Sequence, residues 1–179
     1  MIEQPSATTA LTPDRPNAGS LPSGSQTRRE RQNVAGMYRW PVRVYWEDTD
    51  AGGIVFYANY LKFFERARTE WLRNLGIGQQ HLRDTFGGMF VVTDAQIRYL
   101  RSARLDDLLS VTALVREAGK ASLTIEQSAW LQPAQGSADE PILLCEGSVR
   151  IGWVNSLHMR PMRIPSDILA LLQPHTVAS

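Results

Sequence analysis

The chain has 179 residues, of which 43% are hydrophobic and 21% are charged, and these are the proportions of one ordinary globular domain. Its 19 basic and 18 acidic residues leave a net charge of +1, too little for a broad positive surface that would hold a nucleic acid. The three histidines lack metal-ligand spacing, no apolar run reaches the roughly 18 residues of a membrane span, and the single cysteine excludes an internal disulfide. We therefore expect a cytoplasmic protein with no metal and no cofactor.

The composition divides the chain into three parts. Residues 1–36 contain four prolines, many serines and threonines, and few aliphatic side chains. Such a segment buries too little apolar surface to offset the entropy lost on ordering. We predict a disordered extension over 1–36, a structured domain over 37–173 and a flexible C-terminus over 174–179.

The first predicted element is a half-buried strand. Trp40, Val42, Val44 and Trp46 alternate with more polar neighbours, and a period of two is typical of a strand with one face in the core. The acids and paired glycines of 47–53 are turn formers and end the pattern.

A long helix follows the turn. Apolar residues recur at 60, 63, 64, 67, 71 and 75, which places them on one helical face. Asn59 is a candidate N-cap, and Gly76 suits the position just after the helix.

The rest of the chain is predicted to be mainly strands. A short helical piece near 77–84 precedes four strand-like stretches at 88–100, 107–117, 121–132 and 141–155, and a short helix closes the domain at 166–172. One helix segregated among antiparallel strands indicates the α+β class. This order resembles the hotdog fold, in which a five-stranded antiparallel sheet wraps around one long central helix.

The turn before the long helix is the candidate site. It combines three carboxylates, which can act as base or nucleophile, with glycines that allow a substrate to approach the backbone. The N–H groups at the start of a helix can stabilise an oxyanion. The same residues also suit a solvated turn that caps the helix, and the residues alone favour neither interpretation.

The residues of this segment resemble the signature of the 4-hydroxybenzoyl-CoA thioesterase family. The matching positions are Arg43, Val44, Thr49, Asp50, Gly53, Ile54, Val55 and the closing aromatic Tyr60. The longer segments 38–45, 47–53, 65–70 and 103–107 resemble the branch of acyl-CoA thioesterases associated with the Tol–Pal system. The resemblance covers about 37–173.

The resemblance implies that the chain hydrolyses acyl-CoA to free acid and CoA. Asp50 would be the catalytic nucleophile or general base, and the backbone N–H of Tyr57 would form the oxyanion hole. Glu65 is the fallback carboxylate, because another type of hotdog thioesterase uses a glutamate on the helix. The Tol–Pal branch commonly has histidine where this chain has Tyr57, so its acyl-chain preference does not transfer.

Substrate contacts are expected along the same segment and at nearby cations. The expected substrate-binding residues are Gly53, Val55, Asn59, Arg98, Arg101, Arg104 and Lys120. The cations would bind the CoA phosphates, and arginine is preferred for bidentate contact. The expected assembly is a homodimer, and further a homotetramer, with active sites at the dimer interface, and acyl carrier protein is a further candidate partner.

Hydrolysis has two alternatives among proteins with this fold. A non-catalytic binding module that serves lipid synthesis or an acyl carrier would keep the fold without the chemistry. A hydroxyacyl dehydratase would need a histidine paired with an acid, and no histidine lies in or near the long helix. The intact Asp50 turn favours the hydrolase over the binding module.

Overall fold

The computed structural model describes residues 36–172. The predicted disordered extension, apart from Gly36, and the predicted flexible C-terminus lie outside the described residues. Within the described part of the chain, no helix is both long enough and apolar enough to cross a membrane.

Five strands and three helices make up the domain. In chain order they are β1 (Tyr38–Arg43), α1 (Asn59–Asn74), α2 (Gln79–Phe86), β2 (Gly88–Tyr99), β3 (Leu108–Ala118), β4 (Ser122–Leu131), β5 (Ile142–Asn155) and α3 (Ser166–Leu172), with a 3₁₀ turn at Trp46–Asp48. The predicted order of one strand, one long helix and four strands is therefore confirmed.

The strands form a single antiparallel sheet in the order β1-β3-β4-β5-β2. The two edge strands are β1 and β2, and the two hairpins β3–β4 and β4–β5 supply the centre of the sheet. Helix α1 contacts β1, β3 and β4. This is the α+β arrangement that the sequence predicts.

Helix α1 buries its aromatic face against the sheet. Phe63, Phe64 and Trp71 are among its almost fully buried side chains, and burying each such side chain contributes roughly 1.5–3 kcal/mol. Gly76 follows the Leu75 C-cap of the helix, and its φ of +77° suits glycine. There the N–H of Gly76 donates to Arg73 and that of Ile77 to Leu72, which together form a Schellman motif.

Strand β1 ends earlier than the sequence pattern predicts. The alternation points to a strand through Trp46, but pairing with β3 stops at Arg43. The backbone N–H of Tyr45 donates to the Asp48 carboxylate over 2.9 Å, and the N–H of Asp48 donates back to the Tyr45 carbonyl. This side-chain bond turns the chain out of the strand, and Trp46 is therefore 77% exposed rather than on the buried face.

Candidate active site

The loop between β1 and α1 is a tight turn closed by backbone hydrogen bonds. The N–H of Asp50 donates to the Ile54 carbonyl over 2.9 Å, and the N–H of Gly53 donates to the Asp50 carbonyl over 3.0 Å. Gly53 has φ +70°, a conformation that favours glycine. A bridge from Ile54 to Arg104 attaches the turn to the segment between β2 and β3.

Asp48 holds the base of this loop and faces inward. Its side chain is 2% exposed and accepts the Tyr45 N–H. Its carbonyl accepts the N–H of Phe56 and the side-chain amide of Asn59, each over 2.9 Å. Because these bonds fix the path of the chain into α1, Asp48 is a structural residue of the site.

Asn59 is the first residue of α1 and not its N-cap, so the N-cap prediction is wrong. The N-cap is Ala58, which makes no side-chain capping bond. The Asn59 side chain instead reaches back to the Asp48 carbonyl and is buried. The Asn59 amide is therefore bonded to the Asp48 carbonyl, 11 residues away in sequence, and not to the end of the helix. A local sequence pattern does not show such a contact.

The carboxylate of Asp50 is exposed and partly engaged. Its Oδ1 accepts the N–H of Gly52 over 2.8 Å. Its Oδ2 has no partner among the described residues, so this oxygen is available to a substrate or a water molecule. The turn thus fixes the orientation of the carboxylate without using both of its oxygens.

Tyr57 supplies a backbone N–H just before α1. That N–H has no acceptor within residues 36–172. The Tyr57 carbonyl accepts the hydroxyl of Tyr99 over 3.0 Å, and the two rings meet edge to face. A residue on β2 therefore fixes the position of the residue that leads into the helix.

Asp50 and Tyr57 line the same cleft, which has a volume of about 330 Å³. Its other lining residues are Ile54, Val55, Tyr60, Tyr99, Leu100, Arg101 and Ser102. The Tyr60 hydroxyl accepts the N–H of Ala103 over 2.9 Å, and burial raises the pKa of Tyr60 and of Tyr99. Aromatic side chains and the Asp50 turn therefore both line the cleft.

Several lining residues have no recognisable signal in the sequence. Tyr60 was noted as the closing aromatic of the motif, but Tyr99, Leu100 and Ser102 carried no signal. They belong to the end of β2 and to the segment that follows it. This segment is attached to the turn because the N–H of Val55 donates to the Ala103 carbonyl over 2.9 Å.

The structure brings some predicted substrate-binding residues to the cleft and separates others from it. Val55 and Arg101 line it. Arg104 pairs through its backbone with the turn and is exposed. Arg98 lies 3.6 Å from Glu146, beside a separate cavity on the sheet. Lys120 lies in the β3–β4 turn, beyond the last residue of β3 and at the other end of the sheet.

Glu65 does not line the Asp50 cleft. It lies on α1 beside a second cavity of about 170 Å³ that Arg68, Thr69 and Phe90 also line. The Thr69 hydroxyl donates to Glu65 Oε1 over 2.7 Å. A single protomer thus holds the two candidate carboxylates in different cavities.

Cys145 is not suited to act as a nucleophile in this site. Cys145 is buried on β5, and burial, together with Glu146, raises its pKa to about 12. A thiol with that pKa is a poor nucleophile at neutral pH. Over residues 36–172, no three His, Cys, Asp or Glu side chains are arranged to hold a metal ion.

Comparison with known proteins places this architecture in a family. The model of the thioesterase superfamily matches residues 52–137. An acyl-CoA thioesterase YbgC from Haemophilus influenzae is 41% identical over 133 residues, which are 74% of this chain and 92% of the relative.

Solved structures show the same fold. A probable thioesterase from Bartonella henselae is 31% identical with a TM-score of 0.64, and the match covers 72% of this chain and 99% of that one. The 4-hydroxybenzoyl-CoA thioesterase from Pseudomonas sp. strain CBS-3 shares the fold at 18% identity and a TM-score of 0.68, over 75% and 98% of the two chains. Because it aligns with nearly the full length of a YbgC relative at 41% identity, the chain belongs to the YbgC acyl-CoA thioesterases of the thioesterase superfamily.

Proposed function

We propose that this thioesterase hydrolyses acyl-CoA to a free acid and CoA with Asp50 as its catalytic carboxylate and the Tyr57 N–H as its oxyanion donor. The observation that carries the proposal is that these two residues line one cleft of about 330 Å³. Asp50 leaves one carboxylate oxygen without a protein partner there, and Tyr57 leaves a backbone N–H without a protein acceptor among the described residues.

The chemistry follows from these two groups. When the thioester carbonyl carbon is attacked, negative charge develops on its oxygen, and a preorganised N–H such as that of Tyr57 stabilises it. The Asp50 carboxylate either attacks the carbon and forms an anhydride, or takes a proton from the attacking water. In both routes the thiolate of CoA leaves and the acid is released.

The CoA moiety would bind at the cations beside the cleft. Arg101 at the cleft and the exposed Arg104 next to the Asp50 turn are the cations best placed for its phosphates. Gly53 and Val55 belong to the turn beside which the thioester would lie. Arg98 and Lys120 remain weaker candidates, since neither lines this cleft in one protomer.

Substitution of Asp50 tests the assignment. Asn keeps the shape of Asp but is a poor base and nucleophile, so Asp50→Asn should lower kcat by at least ~100-fold with little change in acyl-CoA affinity. Thiol release from a panel of short aliphatic, long aliphatic and aromatic acyl-CoAs measures kcat, and calorimetry measures affinity. Glu47→Gln is the matched control, because Glu47 is an exposed acid of the same loop.

Three outcomes would contradict this assignment. Near-normal turnover by Asp50→Asn removes Asp50 from catalysis, and Glu65→Gln then tests the fallback carboxylate in the same assay. An equal loss in Glu47→Gln would indicate a general effect of loop charge. Acyl-CoA binding by the unaltered chain without thiol release would favour the non-catalytic binding module.

A labelling experiment separates the two roles of Asp50. In a single turnover in ¹⁸O-water, an anhydride intermediate can leave label in the Asp50 carboxylate, whereas general-base attack by water leaves label in the released acid alone. Mass spectrometry of the peptide that contains Asp50 reads the result.

The assembly proposed here is a homodimer formed through the edge of β2, and further a dimer of dimers. Strand β2 runs for 12 residues and most of its second half is exposed, whereas the other edge strand has six residues and contains Pro41. Proline protects an edge from pairing, so β2 is the edge left open. Tyr99 ends β2 and lines the cleft, so a partner paired there would lie beside the active site. Acyl carrier protein stays a predicted partner, and association with the Tol–Pal system stays what the resemblance implies.

A further inference from the structure

The turn after β5 exposes two large apolar side chains. Leu157 is 83% exposed, the largest fraction among the big hydrophobic residues of the described chain, and Met159 is 55% exposed. We call these two residues the apolar tip. Exposed apolar side chains next to each other in a loop indicate a contact surface more often than scattered single residues do.

The apolar tip is held in place by hydrogen bonds. The side-chain oxygen of Asn155 accepts the N–H groups of Leu157 and His158, each over 2.9 Å. The N–H of Met159 donates to the Asn155 carbonyl, and the N–H of Asn155 donates to the Arg160 carbonyl. Met159 itself has φ +54°, which a non-glycine residue rarely adopts. The fold therefore fixes a backbone that keeps these side chains in solvent.

Basic residues flank the apolar tip. Arg160 and Arg163 follow it and are exposed. The N–H of Ile164 donates to the carbonyl of Lys120, which brings the β3–β4 turn beside the segment that follows the tip. Over the described part of the chain, none of these three cations is in an ion pair. Their charge is therefore available to an external anion.

This end of the molecule is remote from the catalytic cleft. Strand β3 begins opposite Arg43, beside the Asp50 loop, and ends at Ala118, two residues before Lys120. A strand of its 11 residues spans about 35 Å. Contact at the apolar tip would thus leave the cleft open to substrate.

We propose that the apolar tip and the cations around it bind the surface of an anionic lipid bilayer. Leu157 and Met159 would enter the boundary between headgroups and acyl chains, while Arg160, Arg163 and Lys120 lie among the lipid phosphates. An exposed pair of apolar side chains followed in the chain by exposed cations fits this interface. A stable protein partner would need a contact of roughly 800 Å² on each side, with a packed apolar centre.

Vesicle sedimentation with the full chain tests the proposal. The protein should sediment with phosphatidylcholine vesicles that contain about 30% phosphatidylglycerol and stay in solution with pure phosphatidylcholine, and added salt should weaken binding because it screens the charges. The double variant Leu157→Ser and Met159→Ser should bind at least ~10-fold more weakly. Removing Arg160 and Arg163 together, as R160Q and R163Q, should cost roughly 25-fold, at about fivefold for each cation near an anionic surface.

Trp46→Ser is the matched control, since Trp46 is 77% exposed at the opposite end of the sheet. It should bind vesicles as the unaltered protein does. Failure of the unaltered chain to bind anionic vesicles overturns the proposal. Binding of the same arginines to an acidic protein would not rescue it. Equal weakening by Trp46→Ser overturns the assignment to the apolar tip.

Hydrolysis of soluble acyl-CoA separates this inference from the proposed function. The apolar-tip variants should keep unaltered kcat and KM without vesicles, since the tip is remote from Asp50. Loss of vesicle binding with full hydrolysis therefore supports the surface, and loss of hydrolysis in the same variants would contradict a surface that acts independently of the cleft.

Discussion

Two aspartates that stand two residues apart take different roles because their surroundings differ. Asp48 is 2% exposed and its carboxylate bonds the backbone, whereas Asp50 is exposed and keeps one oxygen free. The sequence left a turn and a catalytic site as equal interpretations of this acidic segment. The structure contains the turn, with Asp48 as its buried anchor, and it presents Asp50 on the surface of that turn.

The neighbouring Asp48 should be needed for stability more than for chemistry. Asp48→Asn keeps an oxygen that can accept the Tyr45 N–H but loses the charge that strengthens this bond, so it should destabilise the fold by about 1 kcal/mol. Its kcat should fall much less than that of Asp50→Asn. Thermal unfolding beside thiol release measures both effects, and a larger kcat loss in Asp48→Asn would reverse the roles of the two acids.

The Tyr57 position should depend on its backbone and not on its hydroxyl. The Tyr57 N–H is the proposed oxyanion donor, so Tyr57→Phe should change kcat little, whereas Tyr57→Pro removes the N–H and should lower kcat by about 100-fold or more. Ala58→Pro is the control, because Ala58 has φ −71°, which suits proline. Turnover kept by Tyr57→Pro and lost by Ala58→Pro would assign the donor to Ala58, and a large loss in Tyr57→Phe would assign it to the hydroxyl. Circular dichroism establishes that each variant is folded.

Cys145 should not react in the folded protein. Its pKa of about 12 leaves only about one thiol in ten thousand ionised at pH 8, and the side chain is buried. We expect no titratable thiol with Ellman's reagent before denaturation and one afterwards. Rapid reaction of the native protein would show that β5 opens readily, and it would also disturb the thiol-release assay.

At the scale of elements, the periodicity of apolar residues predicted the positions of those strands and helices that depend on local sequence pattern. The strands at 88–100, 107–117, 121–132 and 141–155 were placed within one residue of their observed ends, and α3 was placed at its observed bounds. The end of β1 was missed, because it is set by a particular bond between Tyr45 and Asp48 and not by hydrophobic alternation.

Gly147 lies where strand β5 and its neighbours approach too closely to leave space for a side chain. A Cβ there would come within 2.5 Å of the Gln96 carbonyl oxygen on β2 and 3.3 Å of the Phe64 ring on α1. Gly147→Ala should therefore destabilise the protein by about 1–3 kcal/mol, the range for overpacking. Chemical denaturation measures the loss. Gly78→Ala, whose Cβ would meet its nearest neighbour at 3.8 Å, should stay within about 0.5 kcal/mol, and equal losses in both would contradict the steric explanation.

At the scale of the whole molecule, the sequence could not show which cations reach the cleft. Arg101 and Lys120 carry the same charge in similar loops, yet the sheet places Arg101 at the Asp50 turn and Lys120 at the opposite end. The separation depends on the order β1-β3-β4-β5-β2, in which β2 pairs with β5 and not with its neighbours in sequence. The pairing of β2 with β5 joins segments that are far apart in sequence, so it depends on the complete fold and not on a local pattern.

The open edge of β2 should make the protein a dimer in solution. The outer edge of this 12-residue strand, which is paired only with β5 and has several exposed side chains, would otherwise remain as a template for aggregation. Light scattering at micromolar concentration should give about 40 kDa for two chains of 20.1 kDa, or about twice that for a dimer of dimers. Val92→Lys with Ala95→Lys adds charge along this edge, which should oppose pairing and release monomers.

The control for this edge is Ala118→Lys, an exposed position at the end of β3. It adds a lysine to the sheet away from β2 and should leave the mass unchanged. Because Tyr99 joins the β2 edge to the cleft, the monomers released by the two β2 lysines should also lose turnover. A stable monomer of the unaltered chain, or monomers that keep full turnover, would contradict an active site that depends on the β2 interface.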